Sequence, residues 1–415
     1  MAHSNASNLP VLQLPLNLKP RLSQGHPWVY RNQLGEGGNP RIATGSWVQV
    51  RSGGFSGIGL WDNSGPIAVR LFSTRQAPDY PWLLERVAAA WENRAHLREA
   101  SPAHEKTEAY RLIFGEGDGL PGLTVDLYGQ YAVVAAYSAG VETLKGWLVQ
   151  ALREVVPLKG ILQRPRPKNS EAEADDPGAE RGSGGKLQAL WGRLPPRELV
   201  VEEHGLKFKA NLFEGQKTGL FLDHRENRRF IQDWSNNLTV LNCFSYTGAF
   251  SVYAVQGGAR QIVSCDIAAQ ATADAVENFR LNGFDPDQHE FLSEDCFELL
   301  ARFGKEKRRF DLIILDPPSF AHSKKNVYSA LRGYTRLNQL ALNLLEPGGL
   351  LASASCTSYV SPEMFRDMLA TAAANTGKRL QIIHDAGQPL DHPVPAHFLE
   401  GRYLKFMLGR VSLQP

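Results

Sequence analysis

The sequence predicts an α/β protein whose later half is a doubly wound domain on a mostly parallel, seven-stranded sheet, preceded by a small β-barrel and a small central α/β unit. Three observations predict it. From Thr239 onward, apolar β-rich runs (TVLNCF, QIVSCD, HEFLS, DLIILD, GLLASAS, RLQIIHD, YLKFMLG) alternate with helical stretches such as AAQATADAVENFRLNG and SALRGYTRLNQLALNLL. Strands that read as continuous apolar runs are buried on both faces, and helices between them cover those faces. The first 75 residues instead hold short strands punctuated by Gly-Gly and Asn-Ser-Gly turns. Between these two regions, a helical stretch leads into strand-like runs separated by Gly/Pro turns.

Taken in order, GSWVQVRS, SGIGLWD and PIAVRLFS are the short strands of the barrel, because alternation with turn signals is the mark of a small β-fold. Residues 1–75 carry seven Lys/Arg against two acids, although the whole chain of 415 residues has a formal charge of only +2. A small basic module suits a polyanion. PWLLERVAAAWENRAHLREA is helical, and in YRLIFGEGDGLPGLTVDLYGQYAVVAAYS a Gly/Pro turn separates two strands,. Residues Lys168 to Lys186 are polar, Gly-rich and free of aromatics, the composition of a disordered insert. VVEEHGLKFKANL is a hairpin turning at His204-Gly205. The next helix, in LDHRENRRFI, is expected to start at Asp223 as N-cap, with Glu226 three residues on in capping-box spacing,. The resulting division is 1–75, 76–212 and 213–415.

Bulk properties narrow the function classes. The chain is 43% hydrophobic and 21% charged, as a soluble globular protein is. No apolar run reaches the roughly 18 residues that suggest a membrane helix. MAHSNASNLP lacks a basic n-region and an apolar h-region, so it reads as a short flexible lead-in and not a secretory signal. The cysteines Cys243, Cys265, Cys296 and Cys356 are widely spaced and form no CxxC pair. That argues against a disulfide framework and a thiolate metal site, and fits a reducing cytoplasm.

In a doubly wound sheet the ligand lies at the carboxyl ends of the strands, so those ends can be read for chemistry. The first ends in NCFSYTGAF, which is not the GxGxxG that brings a helix N-terminus against a pyrophosphate. A loop with Ser245, Thr247 and one glycine, Gly248, suits a ligand without phosphates. The second ends at Asp266, 18 residues beyond Gly248, where an acid can bind a ribose diol. Asp295 follows the third strand, Asp316-Pro317-Pro318-Ser319 the fourth, and Cys356 the fifth. Any one acid could be a helix cap. Together they indicate a nucleoside cofactor without a pyrophosphate, S-adenosylmethionine leading.

In DPPS the first proline lacks an N–H, so the carbonyl before Pro318 and the Asp316 carboxylate can both face a flat, amino-bearing base. Downstream, Lys324, Lys325, Arg332 and Arg336 supply cations suited to RNA phosphates. Cys356 in SASCTSYVS reads locally as packing. Beside that loop it acquires a chemical role. Carbon 5 of cytosine is a poor nucleophile, and a thiolate adding to carbon 6 makes the ring an enamine that can attack a sulfonium methyl. Asp316 could protonate ring N3 as the thiolate adds. The other three cysteines read as packing.

Several long segments resemble the RlmI-type family of 23S rRNA cytosine-C5 methyltransferases. They are GHPWVY, AYRLIFGEGDGLPGLTVD, EEHGLKF, GQKTGLFLDHR, LNCFSYTGAF, LDPPSF, SCTS and DHPVPAHFLEGRYLKF. The resemblance implies a PUA-like RNA-binding domain, a small central α/β domain and a class I, Rossmann-like methyltransferase domain. It implies S-adenosyl-L-methionine as donor. The cofactor would be held by Asn242, Phe244 to Gly248 (with Ser245, Tyr246 and Thr247), Asp266, Ile267, Asp295, Cys296, Asp316, Pro317, Asp223 and Arg225. Cys356 would be the nucleophile. Arg21, His26, Trp28 and Arg31 of the basic module would join the RNA contacts. The partner implied is 23S rRNA or a large-subunit assembly intermediate, with no membrane and no metal, and the sequence leaves a homodimer open.

There are departures. The family usually reads DQR where this chain has Asp223-His224-Arg225, which puts a cofactor contact from His224 in doubt. The acidic insert has no recognised counterpart. Other RNA cytosine-C5 enzymes carry a second cysteine in the fourth-strand motif, where this chain has Ser319; the RlmI type also lacks it, which leaves the base that removes the C5 proton unidentified. The competing readings are an exocyclic-amine or guanine ring-nitrogen methyltransferase, which shares the DPP loop but needs no thiol, and a non-catalytic RNA-binding assembly factor. A nicotinamide dehydrogenase is disfavoured because phosphate-cradling glycines are missing.

Overall fold

The structure is a computed structural model and describes residues 9–35, 41–99, 105–163, 187–215, 218–321 and 323–413. The lead-in at 1–8 and the insert at Lys168 to Lys186 lie outside the described residues. The first sheet has five strands: β1 (Val11–Gln13), β2 (Trp28–Tyr30), β3 (Trp47–Ser52), β4 (Phe55–Trp61) and β5 (Ile67–Ser73), in the order β1-β3-β4-β5-β2. The three longer strands are those expected. β1 and β2 are only three residues each, too short for alternation to register. Val29, Val48, Val50, Trp61 and Val69 fill its core.

Helix Tyr80–Asn93 then begins on a true N-cap, Asp79, whose carboxylate accepts from Trp82 N–H. Its buried residues Leu83, Val87 and Ala90 recur at helical spacing and pack on a second sheet. That sheet holds β6 (Ala109–Phe114), β7 (Leu123–Tyr128), β8 (Tyr131–Ala136), β9 (Gly160–Gln163) and β10 (Gln188–Gly192), in the order β10-β9-β8-β7-β6. The hairpin β11 (Val200–Glu203) and β12 (Leu206–Lys209) turns where expected, with His204 at φ 47° and Gly205 at φ 74°. Two successive left-handed residues match the twist of the flanking strands.

The third sheet contains β13 (Thr239–Cys243), β14 (Gln261–Cys265), β15 (Glu290–Leu292), β16 (Phe310–Leu315), β17 (Leu345–Ser355), β18 (Lys378–Ala386) and β19 (Lys405–Leu413). Its order is β15-β14-β13-β16-β17-β19-β18, and β19 alone runs antiparallel to both neighbours. Fully buried Leu241, Val263, Ile313 and Leu351 belong to the core on one face, and Val240, Ile262, Leu312 and Ala352 to the core on the other. Each such leucine or isoleucine contributes about 1.5–3 kcal/mol through removal from water. The strand order reverses between β13 and β16, so a crevice opens above their carboxyl ends.

A buried ion pair, and the hydrogen bonds its acid accepts from the central unit, tie that unit to this sheet. Arg225 and Asp391, both fully buried, form a two-pronged pair at 2.9 and 2.9 Å. Asp391 also accepts from the Arg111 backbone N–H at 2.9 Å, and its carbonyl accepts from Arg94 at 2.8 Å. The Arg225 charge holds the Asp391 carboxyl well below the usual range even though burial works the other way. Gly117 is required here, because a Cβ would stand 1.9 Å from the Pro393 carbonyl oxygen. The first sheet docks through Glu400, which accepts from Arg21 at 2.7 Å and from Tyr30 at 3.3 Å.

One local expectation fails. Asp223 does not cap the helix; the helix spans Arg225–Asp233, preceded by a short 3-10 turn over Leu222–His224, and no side chain caps it. Asp223 instead accepts from the Tyr403 hydroxyl at 2.8 Å. Glu226 pairs with Arg225 at 3.0 Å and with His204 at 3.6 Å. Long-range partners outcompete the local cap.

Candidate active site

The crevice is a cavity of about 360 Å³ above the ends of β13, β14, β16 and β17. Its floor is the loop after β13, where the backbone is bent hard: Phe244 and Tyr246 have φ of 59° and 46°. Left-handed aromatic residues cost of order 1–3 kcal/mol each and persist where surroundings fix them. Here the surroundings are specific. Phe244 N–H donates to Cys296 Sγ at 3.2 Å, Ser245 N–H to the Cys265 carbonyl at 2.9 Å, and Tyr246 N–H to Asp266 Oδ2 at 2.9 Å. Gly248, at φ 73°, ends the loop, and a Cβ there would lie 2.8 Å from Ala275 Cβ.

Asp266 is held by that contact and by Ala268 N–H on its other oxygen at 2.9 Å, so its carboxylate is fixed at the mouth. Beside it Ile267 is largely exposed and still lines the cavity. Asp295 is a helix cap: its Oδ1 accepts from Phe297 and Glu298 N–H at 2.8 and 3.1 Å. It nonetheless borders the cavity with Cys296 and Phe297. Thr247 Oγ1 is buried in this wall without a hydrogen-bond partner.

Asp316, Pro317, Pro318 and Phe320 form the opposite lip, with Cys356 beyond them. The Phe320 ring packs on Tyr334 at 4.6 Å, and Ser355 Oγ donates to the Tyr334 hydroxyl at 3.2 Å. Thr357 Oγ1 donates to the Ala321 carbonyl at 3.1 Å. Lys405, buried and paired in register with Ser355, donates its ammonium to the carbonyls of Thr357 and Tyr403. The turn after Cys356 is thus tied to the loop beyond β16 and to β19.

The cysteines separate. Cys265 and Cys296 sulfurs lie 3.7 Å apart, and Cys243 is fully buried with them in the core under the loop. Hydrogen bonding to Cys296 and then burial push the Cys265 thiol up; contact with the Cys243 thiol, more than burial, does the same for Cys296. They remain thiols at neutral pH. Cys356 instead sits in a small cluster with Phe114, Tyr403 and Leu404 and faces the cavity.

Of the other residues singled out in the sequence, Phe244, Ser245, Tyr246, Thr247, Asp223 and Pro317 line the cavity. Asn242, Gly248 and Arg225 do not: Asn242 is buried and donates to Ser251 at 2.9 Å, and Arg225 is committed to Asp391. On helix Val327–Leu344, Arg332 and Arg336 are exposed, and Arg336 lies over the Phe297 ring at 5.9 Å. Lys325 is exposed; the Lys324 side chain lies outside the described residues. His26 and Trp28 are buried, with Trp28 edge-on to Phe398 at 4.7 Å and donating to Glu116 at 2.7 Å. Arg21 is held by Glu400, and Arg31 by the Asp62, Ser64 and Gly65 carbonyls. These four residues build the module and its junction.

The sequence reading passed over the rear wall. Glu203, Phe221 and Arg228 line the cavity, and Arg228 meets Glu203 at 2.9 and 2.7 Å, both buried. His224, for which a contact was doubted, lines it too, with Nε2 3.2 Å from Asp316 Oδ1. The available signal was in segments already noted, EEHGLKF, LDHR and GRYLKF. Tyr328, highly exposed one turn before Arg332, was also missed.

Among the described residues no helix is long and apolar enough to cross a membrane, and no group of His, Cys, Asp or Glu is arranged to hold a metal ion. Residues 189–397 match the S-adenosylmethionine-dependent methyltransferase family, and residues 14–74 match a PUA-like domain. The chain is 35% identical to ribosomal RNA large subunit methyltransferase I of Aeromonas salmonicida, over 94% of this chain and 96% of that one. It is 36% identical to the protein of the same name from Salmonella arizonae, over 99% and 100%. A solved methyltransferase complexed with SAH superposes with a TM-score of 0.83 over 97% of this chain and 100% of the other, at 24% identity. A Streptococcus mutans protein described as a SAM-dependent methyltransferase gives 0.81 over the same shares, at 22% identity.

Proposed function

Because the chain belongs to the ribosomal RNA large subunit methyltransferase I family and is an S-adenosylmethionine-dependent methyltransferase, we propose that it methylates carbon 5 of a cytosine in 23S rRNA through a covalent adduct on Cys356. The observation that carries this reading is the placement of Cys356, Asp316 and Asp266 around one cavity. A direct methyl transfer to nitrogen has no use for that thiol.

The wall fits the cofactor. Asp266 is fixed to meet a ribose diol; Ile267 and Phe297 offer apolar cover for a flat base beside Asp295; Thr247 Oγ1 is an unsatisfied polar group for the amino-acid end. When bound, S-adenosylmethionine supplies an electrophilic methyl group on a sulfonium. The protein's own residues do the rest. The Cys356 thiolate adds to carbon 6, and Asp316 gives a proton to N3, so the ring becomes a neutral enamine with carbon 5 nucleophilic. Once carbon 5 has taken the sulfonium methyl group, loss of its proton expels the thiolate, and N3 returns its proton to Asp316. The Lys405 ammonium, bonded to the carbonyl of the residue after Cys356, helps fix the turn that carries the thiol.

We read residues 1–75 as the RNA-binding module, 76–212 as a central domain and 213–415 as the catalytic domain, with 23S rRNA or a large-subunit intermediate bound in the cytoplasm. On the catalytic domain, Lys325, Arg332 and Arg336 suit phosphates, and exposed Tyr328 suits base stacking,. The test is to map modified nucleosides in rRNA from cells with and without the gene. Loss of one 5-methylcytosine is expected. A lost N-methylated base, or no lost site, would overturn the reading.

A further inference from the structure

His224 stands where the sequence departs from its family pattern, and its surroundings fix which ring nitrogen carries the proton. The Gly387 carbonyl can only accept, and Asn227 Nδ2 lies 3.4 Å from it. The same amide nitrogen lies 3.1 Å from His224 Nδ1. Nδ1 therefore accepts, since a proton there would set two N–H groups against each other. The proton sits on Nε2. Phe250 and Phe406 pack edge-on against the ring at 5.4 and 6.0 Å and keep it from turning.

Nε2 is buried without a completed hydrogen bond, on a side chain only 3% exposed. It lies in the cavity wall 3.2 Å from Asp316 Oδ1, and the Asp316 side chain is 21% exposed. The distance is that of a hydrogen bond but the alignment is not, and a turn of the carboxyl group that brought Oδ1 onto the N–H direction would complete it. Leaving a buried N–H unmade is costly, so the turn is favoured.

We propose that His224 is a positioning residue that holds Oδ1 of Asp316 as an acceptor, so that Oδ2 carries the proton and faces the substrate base. A carboxylic acid has one acceptor-only oxygen and one O–H, and a fixed donor on one oxygen decides which is which. The geometry performs for Asp316 what a carboxylate does for a catalytic imidazole: it selects the proton's place. The inference rests on the reading of Asp316 as the group that meets the base.

The test compares two substitutions of similar volume. His224→Gln keeps an N–H donor, and His224→Met does not; His224→Leu serves as a second apolar variant if Met perturbs the fold. Tritium transfer from S-adenosylmethionine into large-subunit rRNA from cells lacking the gene gives kcat, whichever base is marked. Calorimetry gives the cofactor Kd. We expect Met to lower kcat by about 10- to 100-fold, within the range of proton-transfer catalysis, with Kd changed less than about 3-fold. Gln should restore kcat to within about 5-fold of wild type. Equal kcat for Met and Gln, whether both high or both low, overturns the proposal. The identity of the methylated nucleoside is read separately, so a wrong base would refute the proposed function without deciding the His224 comparison.

Discussion

The cavity has two walls made in different ways. The front wall is the loop after β13, with Asp266 and Asp295 at the following strand ends, held chiefly by backbone N–H groups supplied within about 55 residues. The rear wall is Glu203, Asp223, His224 and Arg228, held by side chains from as far away as Tyr403, with the buried Arg225–Asp391 pair behind it. The front wall is geometry of the backbone; the rear wall is a network of buried charge. Substitutions on the front should change ligand binding, whereas those behind the rear should change folding.

The largest effect lies where the walls meet. Cys356→Ala should lower methyl transfer by at least about 1,000-fold, as loss of a nucleophile does, with cofactor affinity within about 3-fold by calorimetry. Full activity in that variant would sink the covalent route. Next is the charge network. Asp391→Ala leaves the buried Arg225 with only the half-exposed Glu226 as counter-charge, which costs about 3–5 kcal/mol and should appear as a lower denaturation midpoint. Asp391 has a depressed pKa, so its contribution is present above the unfolded value of about 3.9 and lost as pH falls well below it.

On the front wall, Asp266→Ala should weaken S-adenosylmethionine binding by roughly 10- to 100-fold, the worth of hydrogen bonds to a charged group, with little change in the midpoint. An equal loss of stability would erase the distinction between the walls. The smallest effect is at the module junction. Burial opposes, but His26 and Arg21 more than offset it, and Glu400 falls to about 2. Its stabilisation is therefore complete above about pH 4.3 and fades as pH drops toward 2. Glu400→Gln should flatten that acid dependence in a melt followed by tryptophan fluorescence, Trp28 lying beside the junction.

This contrast also explains what could be read in advance. The seven strands of the third sheet, the hairpin at His204-Gly205 and the strand-end acids were legible, because apolar runs and turn residues act locally. The Asp223 cap was misread because Tyr403, 180 positions away, takes its carboxylate. His26 and Trp28, expected among the RNA contacts, are buried, since Phe398 and Glu116 belong to segments no local pattern connects to them. The rear wall was illegible for the same reason: an Arg–Glu pair such as Arg228–Glu203 leaves no periodicity in a sequence.

The place of β19 between β17 and β18 has a consequence for biosynthesis. β13 to β17 are made before β19, so the loops at the carboxyl ends of these strands can form while Tyr403 and Lys405 are still unmade. The turn after Cys356 gains its ties to the last strand only afterwards. A growing chain can therefore shape the front wall of the cavity before the turn after Cys356 is tied down.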